Sequence, residues 1–299
     1  MRKLSAKKKE EQSLAFGGQA LIEGIMMRSR TYMVMCVRKP NNEILTNVES
    51  IHSLSERYRV LGLPFLRGII ALFETFYIGI KGLFFSANVV VEEEGEGEKF
   101  TYKEFAIAFA LALGMISFFV AVPYLLATLF NLTPGEVVFN VVEAMIRLAM
   151  FLLYLTLVSM WGEFKRVLQY HGAEHKTINA HEAGVALDVA NVKKFSRLHP
   201  RCGTSFIFII LIVSIVLFSI MPNLGFFGNL AYRILLIPVI GGISYELLRL
   251  SGKYRNSIIM KIFTLPGLAF QRLTTKEPSE DMIEVAIRAV TETIKLTSS

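Results

Sequence analysis

Two histidines and a glutamate lie close together in the segment Tyr170–Lys176. His171 and His175 are four residues apart, and Glu174 directly precedes the second histidine. On a helix this spacing places both imidazoles on one face, where they can bind the same metal ion. The order His-x-x-Glu-His is the inverted zinc-protease pattern, and we expect Glu174 to act as the general base. The segment therefore predicts a helix that presents two metal ligands and one base.

Further candidate ligands follow in the chain. His199 and Cys202 add an imidazole and a thiol, both of which suit zinc. Cys202 has two other interpretations: a nucleophile activated by a histidine, or an inert thiol in a segment that shapes the entry to the next helix. Glu246, near the end of a later apolar segment, is either the third ligand that inverted zinc proteases need or the ion-pair partner of Arg249.

Two polar residues near these ligands are secondary candidates. We expect a helix from Trp161 to Glu182 that continues out of the second apolar run and is ended by Gly184. On this helix Glu182 shares a face with the two histidines. Glu182 could then supply a carboxylate to the site. Arg201, followed by small hydroxyl residues, would suit the phosphate of a lipid headgroup or another substrate.

The elements that must position these residues are apolar helices. Hydrophobic residues make up 53% of the 299 residues, and mean hydropathy is +0.48. The apolar residues are gathered into four runs near the length of a bilayer span, at 105–130, 137–161, 206–221 and 230–250. The alternative, buried helices of a large soluble core, fits such long charge-poor runs less well. We predict a mainly α polytopic membrane protein with about four transmembrane helices.

Lys and Arg residues predict the orientation of these helices. The two short connections at 131–136 and 222–229 contain neither residue, whereas both terminal regions and the segment 162–205 are rich in them. The positive-inside rule then places both termini and the candidate site on the cytoplasmic side of the cell (inner) membrane. The net charge of +7 is explained by anionic membrane lipids as partners. No basic stripe with interleaved aromatics indicates nucleic acid, and neither Cys36 nor Cys202 is expected in a disulfide.

The rest of the chain divides by composition. We expect a basic flexible tail (1–16), a small β-rich cytoplasmic element (17–60) with strands at Tyr32–Val37 and Glu43–Val48, and an acidic linker (92–104). Residues 61–91 favour an interfacial or partly embedded helix over a fifth span, because the uninterrupted apolar part is short. Residues 162–205 carry the candidate site, and residues 251–299 form a cytoplasmic amphipathic region.

Four motifs together resemble one family. They are Gly17–Arg28, Tyr170–Lys176, His199–Phe206 and Ile243–Arg249, and in this order they are similar to the signature segments of the bacterial domain-of-unknown-function 1385 family over nearly the whole chain. The family is described as a multi-pass membrane protein and a predicted metal-dependent enzyme. The resemblance implies one shared site, and its members would be Glu23, Arg28, His171, Glu174, His175, His199, Cys202 and Glu246.

Two functions from different classes follow. The leading hypothesis is a membrane-embedded metal-dependent enzyme, in particular a zinc hydrolase at the cytoplasmic face, with Glu23 and Arg28 orienting substrate or ligands. The alternative is an assembly or translocation factor, in which the same residues build a rigid platform for another membrane protein. An open coordination position favours the enzyme and a closed four-ligand site favours the platform. A transporter is a weaker third hypothesis, because no pair of broken helices occupies corresponding halves.

Overall fold

The computed structural model describes residues 17–94, 101–130, 132–134, 136–200, 202–221, 223–253 and 258–298. It is mainly helical, with one small sheet at the N-terminal end, as predicted. The strands are β1 (Gly17–Leu21), β2 (Gly24–Arg28), β3 (Tyr32–Arg38) and β4 (Ile44–Ser50). The helices are α1 (Leu54–Arg57), α2 (Leu66–Glu94), α3 (Tyr102–Thr128), α4 (Val137–Met160), α5 (Gly162–Glu182), α6 (Val189–Val192), α7 (Thr204–Ser219), α8 (Gly225–Leu235), α9 (Ile237–Lys253), α10 (Ile258–Thr274) and α11 (Glu280–Ser298).

The sheet is an antiparallel meander in the order β1-β2-β3-β4. The predicted hairpin is confirmed as β3 and β4, joined by a turn in which Asn42 has a φ of 70°. Alternate residues of the strands point to opposite faces. One face packs on α5 and α11 and the other packs on α2, so the sheet is buried between helices on both sides. The predicted basic tail lies outside the described residues, and so do residues 95–100 of the predicted acidic linker. The other linker residues are described: 92–94 end α2, and 102–104 begin α3.

Helix α2 joins the sheet to the apolar helices. Its residues 66–91 are long and apolar enough to cross a membrane. Its second half, however, packs against the sheet, where Ile78 and Val89 belong to the same buried cluster as Leu21 and Met35. Its first half packs against α9, where Gly68 allows close contact with the backbone of Gly242. Because α2 has both kinds of neighbour, the expectation of a partly embedded helix stays a prediction.

The described chain contains three helices that could each span a membrane by length and composition, or four if one bent pair counts as a single span. The first two predicted spans correspond to α3 and α4. The third corresponds to α7, a shorter apolar helix, and the fourth is broken into α8 and α9, which meet at 44°. Pro238 lies at the second position of α9 and lacks the N–H that a continuous helix would use, which accounts for the break. The architecture is consistent with a multi-pass membrane protein.

A buried charge network holds the apolar helices together. Glu143 and Arg147, one turn apart on α4, form an ion pair, and Arg233 of α8 joins them. Arg233 Nε donates to Glu143 Oε2 at 3.0 Å, and its Nη2 donates to Asn140 Oδ1 at 2.8 Å. Arg147 Nη1 reaches Ser214 Oγ of α7 at 3.2 Å. A buried charge is costly unless it is paired, so this network fixes α4, α7 and α8 relative to one another.

Candidate metal centre

Helix α5 carries the two predicted histidine ligands. The predicted helix from Trp161 to Glu182 is confirmed, except that the chain breaks from α4 at Trp161, whose extended backbone (ψ 129°) starts a new helix. At its other end Gly184 adopts a φ of +68°, a left-handed conformation that glycine tolerates and that terminates the helix. Its second half is mostly buried because it packs on β1, β2 and α11. The histidine segment therefore lies on a rigid, buried element.

His171, His175 and Cys202 converge on one point. One potential ligand atom from each lies within 4.8 Å of the others, and no other trio of His, Cys, Asp or Glu converges as closely in the described part of the chain. His171 Nε2 is 3.4 Å from Cys202 Sγ, and the two imidazole centroids are 4.4 Å apart. Ligands of a tetrahedral zinc ion lie about 3.6 Å from one another. The separation of His171 Nε2 and Cys202 Sγ is close to this value, so two imidazoles and one thiol could hold a zinc ion here.

Backbone carbonyls fix both imidazoles. His171 Nδ1 lies 2.8 Å from the carbonyl oxygen of Thr274, and His175 Nδ1 lies 2.7 Å from that of Arg197. Since a carbonyl oxygen can only accept, each Nδ1 carries the proton and each Nε2 keeps its lone pair. Metal-ligating histidines are commonly oriented in this way. The arrangement thus leaves both Nε2 atoms available as potential metal ligands.

The two carbonyls come from segments far apart in sequence, and specific contacts hold them in place. Gly172 lets the connection after α10 approach α5, because a Cβ there would lie 2.1 Å from Lys276 O. Lys276 N donates to Leu168 O at 2.9 Å, which fixes the same connection. Arg197 is tied to it as well, since its Nη1 donates to the carbonyl and hydroxyl of Thr275.

Glu174 lies between the two histidines in sequence and is 4% exposed. Its Oε2 has no hydrogen-bond partner among the described residues. Burial raises the pKa of its carboxyl, and the nearby imidazoles of His171 and His199 partly oppose that rise. Gly18 of β1 covers Oε1 so closely that a Cβ would lie 2.4 Å from it. Glu174 is thus a buried carboxylate with a free oxygen and a raised pKa, which are the properties of a proton acceptor.

His199 flanks the trio without joining it. Its ring centroid is 5.7 Å from that of His175, and its Nε2 is 3.2 Å from Glu182 Oε1. Gln271 of α10 holds its backbone on both sides: His199 N donates to Gln271 Oε1 at 2.7 Å, and Gln271 Nε2 donates to His199 O at 2.8 Å. Burial lowers the pKa of the imidazoles of both His199 and His175, which favours the neutral form that can bind a metal.

The resemblance assigned eight residues to one site, and three of them bind partners outside the trio: Glu246, Arg28 and Glu23. Glu246 accepts from Arg67 Nε and Nη2 at 2.7 and 2.5 Å, so its carboxylate is not part of the trio. The same pairing provides Glu246 with a partner, Arg67 of α2, that sequence proximity did not indicate. Arg28 lies 3.7 Å from Glu74 of α2. In both pairs the partner is far away in sequence and is brought near only by the fold: Arg67 for Glu246 and Glu74 for Arg28.

Glu23 reaches α5 but not the trio. It lies in the β1–β2 turn with a φ of 50°, and both of its carboxylate oxygens bind the guanidinium of Arg166. Tyr170 also donates to it at 3.2 Å, which fixes the helix one residue before His171. Glu23 therefore positions α5 on the sheet. Arg201 lies outside the described residues.

Several residues of this centre were missed by the sequence reasoning. Thr274 and Arg197 act through backbone carbonyls, which no side-chain pattern reveals. No motif around Gln271 indicates that its side chain binds the backbone of His199. Gly18 has no side chain that would mark it as part of the centre, and the structure shows that its backbone closely approaches Glu174.

Comparison with known proteins identifies the family of this chain. The family described as "Protein of unknown function (DUF1385)" matches residues 63–296. The chain belongs to the DUF1385 family. It is also 36% identical over 303 residues to the Bacillus subtilis (strain 168) protein named "Uncharacterized protein YqhQ", and the match covers 94% of this chain and 93% of that protein. No solved structure matches. In this DUF1385 protein the matched region includes the trio and all the apolar helices but not the sheet.

Proposed function

We propose that this DUF1385 protein is a metal-dependent hydrolase that acts at the cytoplasmic face of the cell membrane. The observation that carries the proposal is the convergence of His171, His175 and Cys202 within 4.8 Å, beside the buried carboxylate of Glu174. An inert polar cluster would be expected to satisfy its own hydrogen bonds, since buried polar groups nearly always have partners. Glu174 Oε2 instead has none among the described residues.

The three ligands and their supports define the metal-binding role. His171 and His175 would bind through Nε2, because both Nδ1 atoms donate to carbonyls. Cys202 would bind as a thiolate, and this donor set suits zinc. A zinc ion held there supplies Lewis acidity and brings the pKa of a coordinated water toward roughly 7. Three protein ligands leave one tetrahedral position open, which favours an enzyme over a purely structural site.

Glu174 is the proton acceptor in this proposal. Burial raises the pKa of its carboxyl, so this carboxylate takes up a proton more readily than an exposed glutamate does. The same carboxyl can then return the proton to a leaving group. Gly18 leaves room for the carboxylate, because a Cβ at that position would lie 2.4 Å from Glu174 Oε1.

The location of the site supports action at the membrane surface. Helix α5 begins two residues after the apolar helix α4 ends, and Cys202 lies two residues before the apolar helix α7 begins. Both ends of the site are thus attached to apolar helices. The clustering of Lys and Arg around 162–205 favours the cytoplasmic side, and membrane lipids are the expected surroundings.

Glu174→Gln tests the proposal, because glutamine keeps the shape of the side chain and removes its basicity. Zinc-loaded protein in detergent would be assayed against a panel of fluorogenic amides, carboxylic esters and phosphodiesters. We expect the variant to retain its zinc and to lose turnover by about 100-fold or more. Glu163→Gln, an exposed glutamate on the same helix, is the matched control and should change neither.

Two results would contradict the proposal. Turnover at the wild-type rate in Glu174→Gln would show that this carboxylate is not the base. A zinc-loaded wild type that hydrolyses no member of the panel would favour the alternative, in which the same residues form a platform for another membrane protein.

A further inference from the structure

β1 is an edge strand of the sheet, and part of its backbone is available to a partner. It pairs with β2 through a two-residue turn, with Leu21 opposite Gly24. In such a hairpin the closing pair is hydrogen-bonded and the bonds alternate from there, so Leu21, Gln19 and Gly17 bond toward β2. The N–H and C=O groups of Gly18 and Ala20 therefore point to the outer edge. Among the residues that the structure describes, these groups have no hydrogen-bond partner.

The outer edge of β1 lies beside the proposed base. Gly18 is exposed, yet its missing side chain would point at Glu174 Oε1. Gly17 is also exposed, and a Cβ built there would meet nothing within 4 Å. The main chain at this end of the strand is thus accessible from solvent and immediately adjacent to a buried carboxylate whose second oxygen is unpaired.

The strand also has a fixed direction relative to the ligand helix. The turn after β1 contacts α5 near its start, through Glu23 with Arg166 and Tyr170. The beginning of β1 contacts α5 further along, through Gly18 with Glu174. β1 therefore runs opposite to α5, and its free edge leads toward the turn of α5 that carries His171 and His175.

We infer that the substrate of this site is an extended polypeptide segment that pairs with the outer edge of β1. This inference rests on the proposed hydrolase function and names its substrate class. Gly18 and Ala20 each offer one donor and one acceptor, spaced as the backbone of another strand requires. A lipid headgroup or a small metabolite has no repeating amide to match that edge. The two glycines leave room for the side chains of an incoming strand.

The chemistry is the hydrolysis of one peptide bond. The oxygen of a water molecule adds to the carbonyl carbon, and Glu174 takes a proton from that water. The C–N bond then breaks, and Glu174 delivers the proton to the departing nitrogen. The products are one new carboxyl and one new amine, so the step consumes one water and needs no other reactant. Pairing with β1 holds the scissile carbonyl beside the trio while this occurs.

Ala20→Pro in the full-length protein tests the inference. Proline removes the outward N–H and leaves the bonds to β2 intact, which an edge strand tolerates. The probes are a tetra-alanyl hydroxamate and acetohydroxamate, and their binding to cobalt-loaded protein in detergent is followed by the visible absorption of cobalt. We expect the variant to bind the peptide probe about five- to tenfold more weakly than wild type, and acetohydroxamate equally well. Ala20→Ser keeps the N–H and should bind both probes as wild type does.

A second series leaves the protein unchanged, so that a folding defect in the proline variant cannot confuse the result. Tetra-alanyl hydroxamates would be N-methylated at one residue at a time. Alternating sensitivity, in which methylation weakens binding at every second position, is the signature of strand pairing. Equal effects at all positions, or a peptide probe that binds wild type no better than acetohydroxamate, would overturn the inference. The proposed hydrolase would survive that result if the acetohydroxamate arm still reports a metal. Failure of cobalt to bind at all would overturn both.

Discussion

Gly172→Ala should loosen the metal centre without touching a ligand. Gly172 directly follows His171 on α5. It is buried and faces the connection after α10. A Cβ at this position would lie 2.1 Å from Lys276 O, and ordinary contact begins near 3.4 Å. The connection would therefore have to move by about 1.3 Å. That connection begins one residue after Thr274, whose carbonyl holds His171 Nδ1 at 2.8 Å.

The expected cost follows from what this shift disturbs. The bond from Lys276 N to Leu168 O, now 2.9 Å, would be lost, and a typical hydrogen bond contributes about 1 kcal/mol. Overpacking a buried site costs about 1–3 kcal/mol by itself. We expect the free energy of unfolding to fall by about 2 kcal/mol. Zinc affinity should fall by about tenfold or more, because the carbonyl that orients His171 moves away.

Zinc affinity would be measured in detergent by competition with a fluorescent chelator, and stability by thermal unfolding of the zinc-free protein. Gly162→Ala is the matched control, since it lies on the same helix and its Cβ would meet nothing within 4 Å. It should change neither quantity by much. If Gly172→Ala binds zinc and unfolds as wild type does, the close approach of Lys276 and its role in orienting His171 are both wrong.

Three further predictions follow from the same contacts. Iodoacetamide should alkylate Cys202 in zinc-free protein and react more slowly after zinc is added. Cys36 should stay unmodified in both states, because it is fully buried and burial raises its pKa to about 11; peptide mass spectrometry distinguishes the two thiols. Gly18→Ala should displace the Glu174 carboxylate and reduce turnover about as much as Glu174→Gln, with zinc retained; equal turnover to wild type would contradict the packing. Glu143→Leu should destabilise the detergent-solubilised protein by about 3–5 kcal/mol, because two buried arginines lose their shared carboxylate, and an unchanged melting temperature would contradict the network.

Local patterns in the sequence predicted the local elements well. The four-residue spacing of His171 and His175, with Gly184 as a terminator, predicted α5, because helix periodicity and capping are local properties. Alternating residues on either side of a turn predicted β3 and β4 for the same reason. Cys202 was a candidate by residue type alone, and the fold brings it to 3.4 Å from His171.

Contacts between distant segments were less predictable. Glu246 had been considered as a metal ligand or as a partner of Arg249, but the fold brings Arg67 to its carboxylate. That pairing depends on how α2 packs against α9, which hydrophobic patterns do not specify. The break between α8 and α9 was likewise hidden inside one continuous apolar run, although Pro238 marks its position. The carbonyl oxygens that orient the two histidines have no signature in the sequence.

Metal content tests the central claim most directly. Detergent-purified wild type, His171→Ala, His175→Ala and Cys202→Ala would be compared by inductively coupled plasma mass spectrometry, before and after addition of zinc and removal of the excess. We predict about one zinc per chain in wild type and much less in each variant. No bound metal in wild type after zinc addition, or as much metal in all three variants as in wild type, would contradict a metal centre at this position.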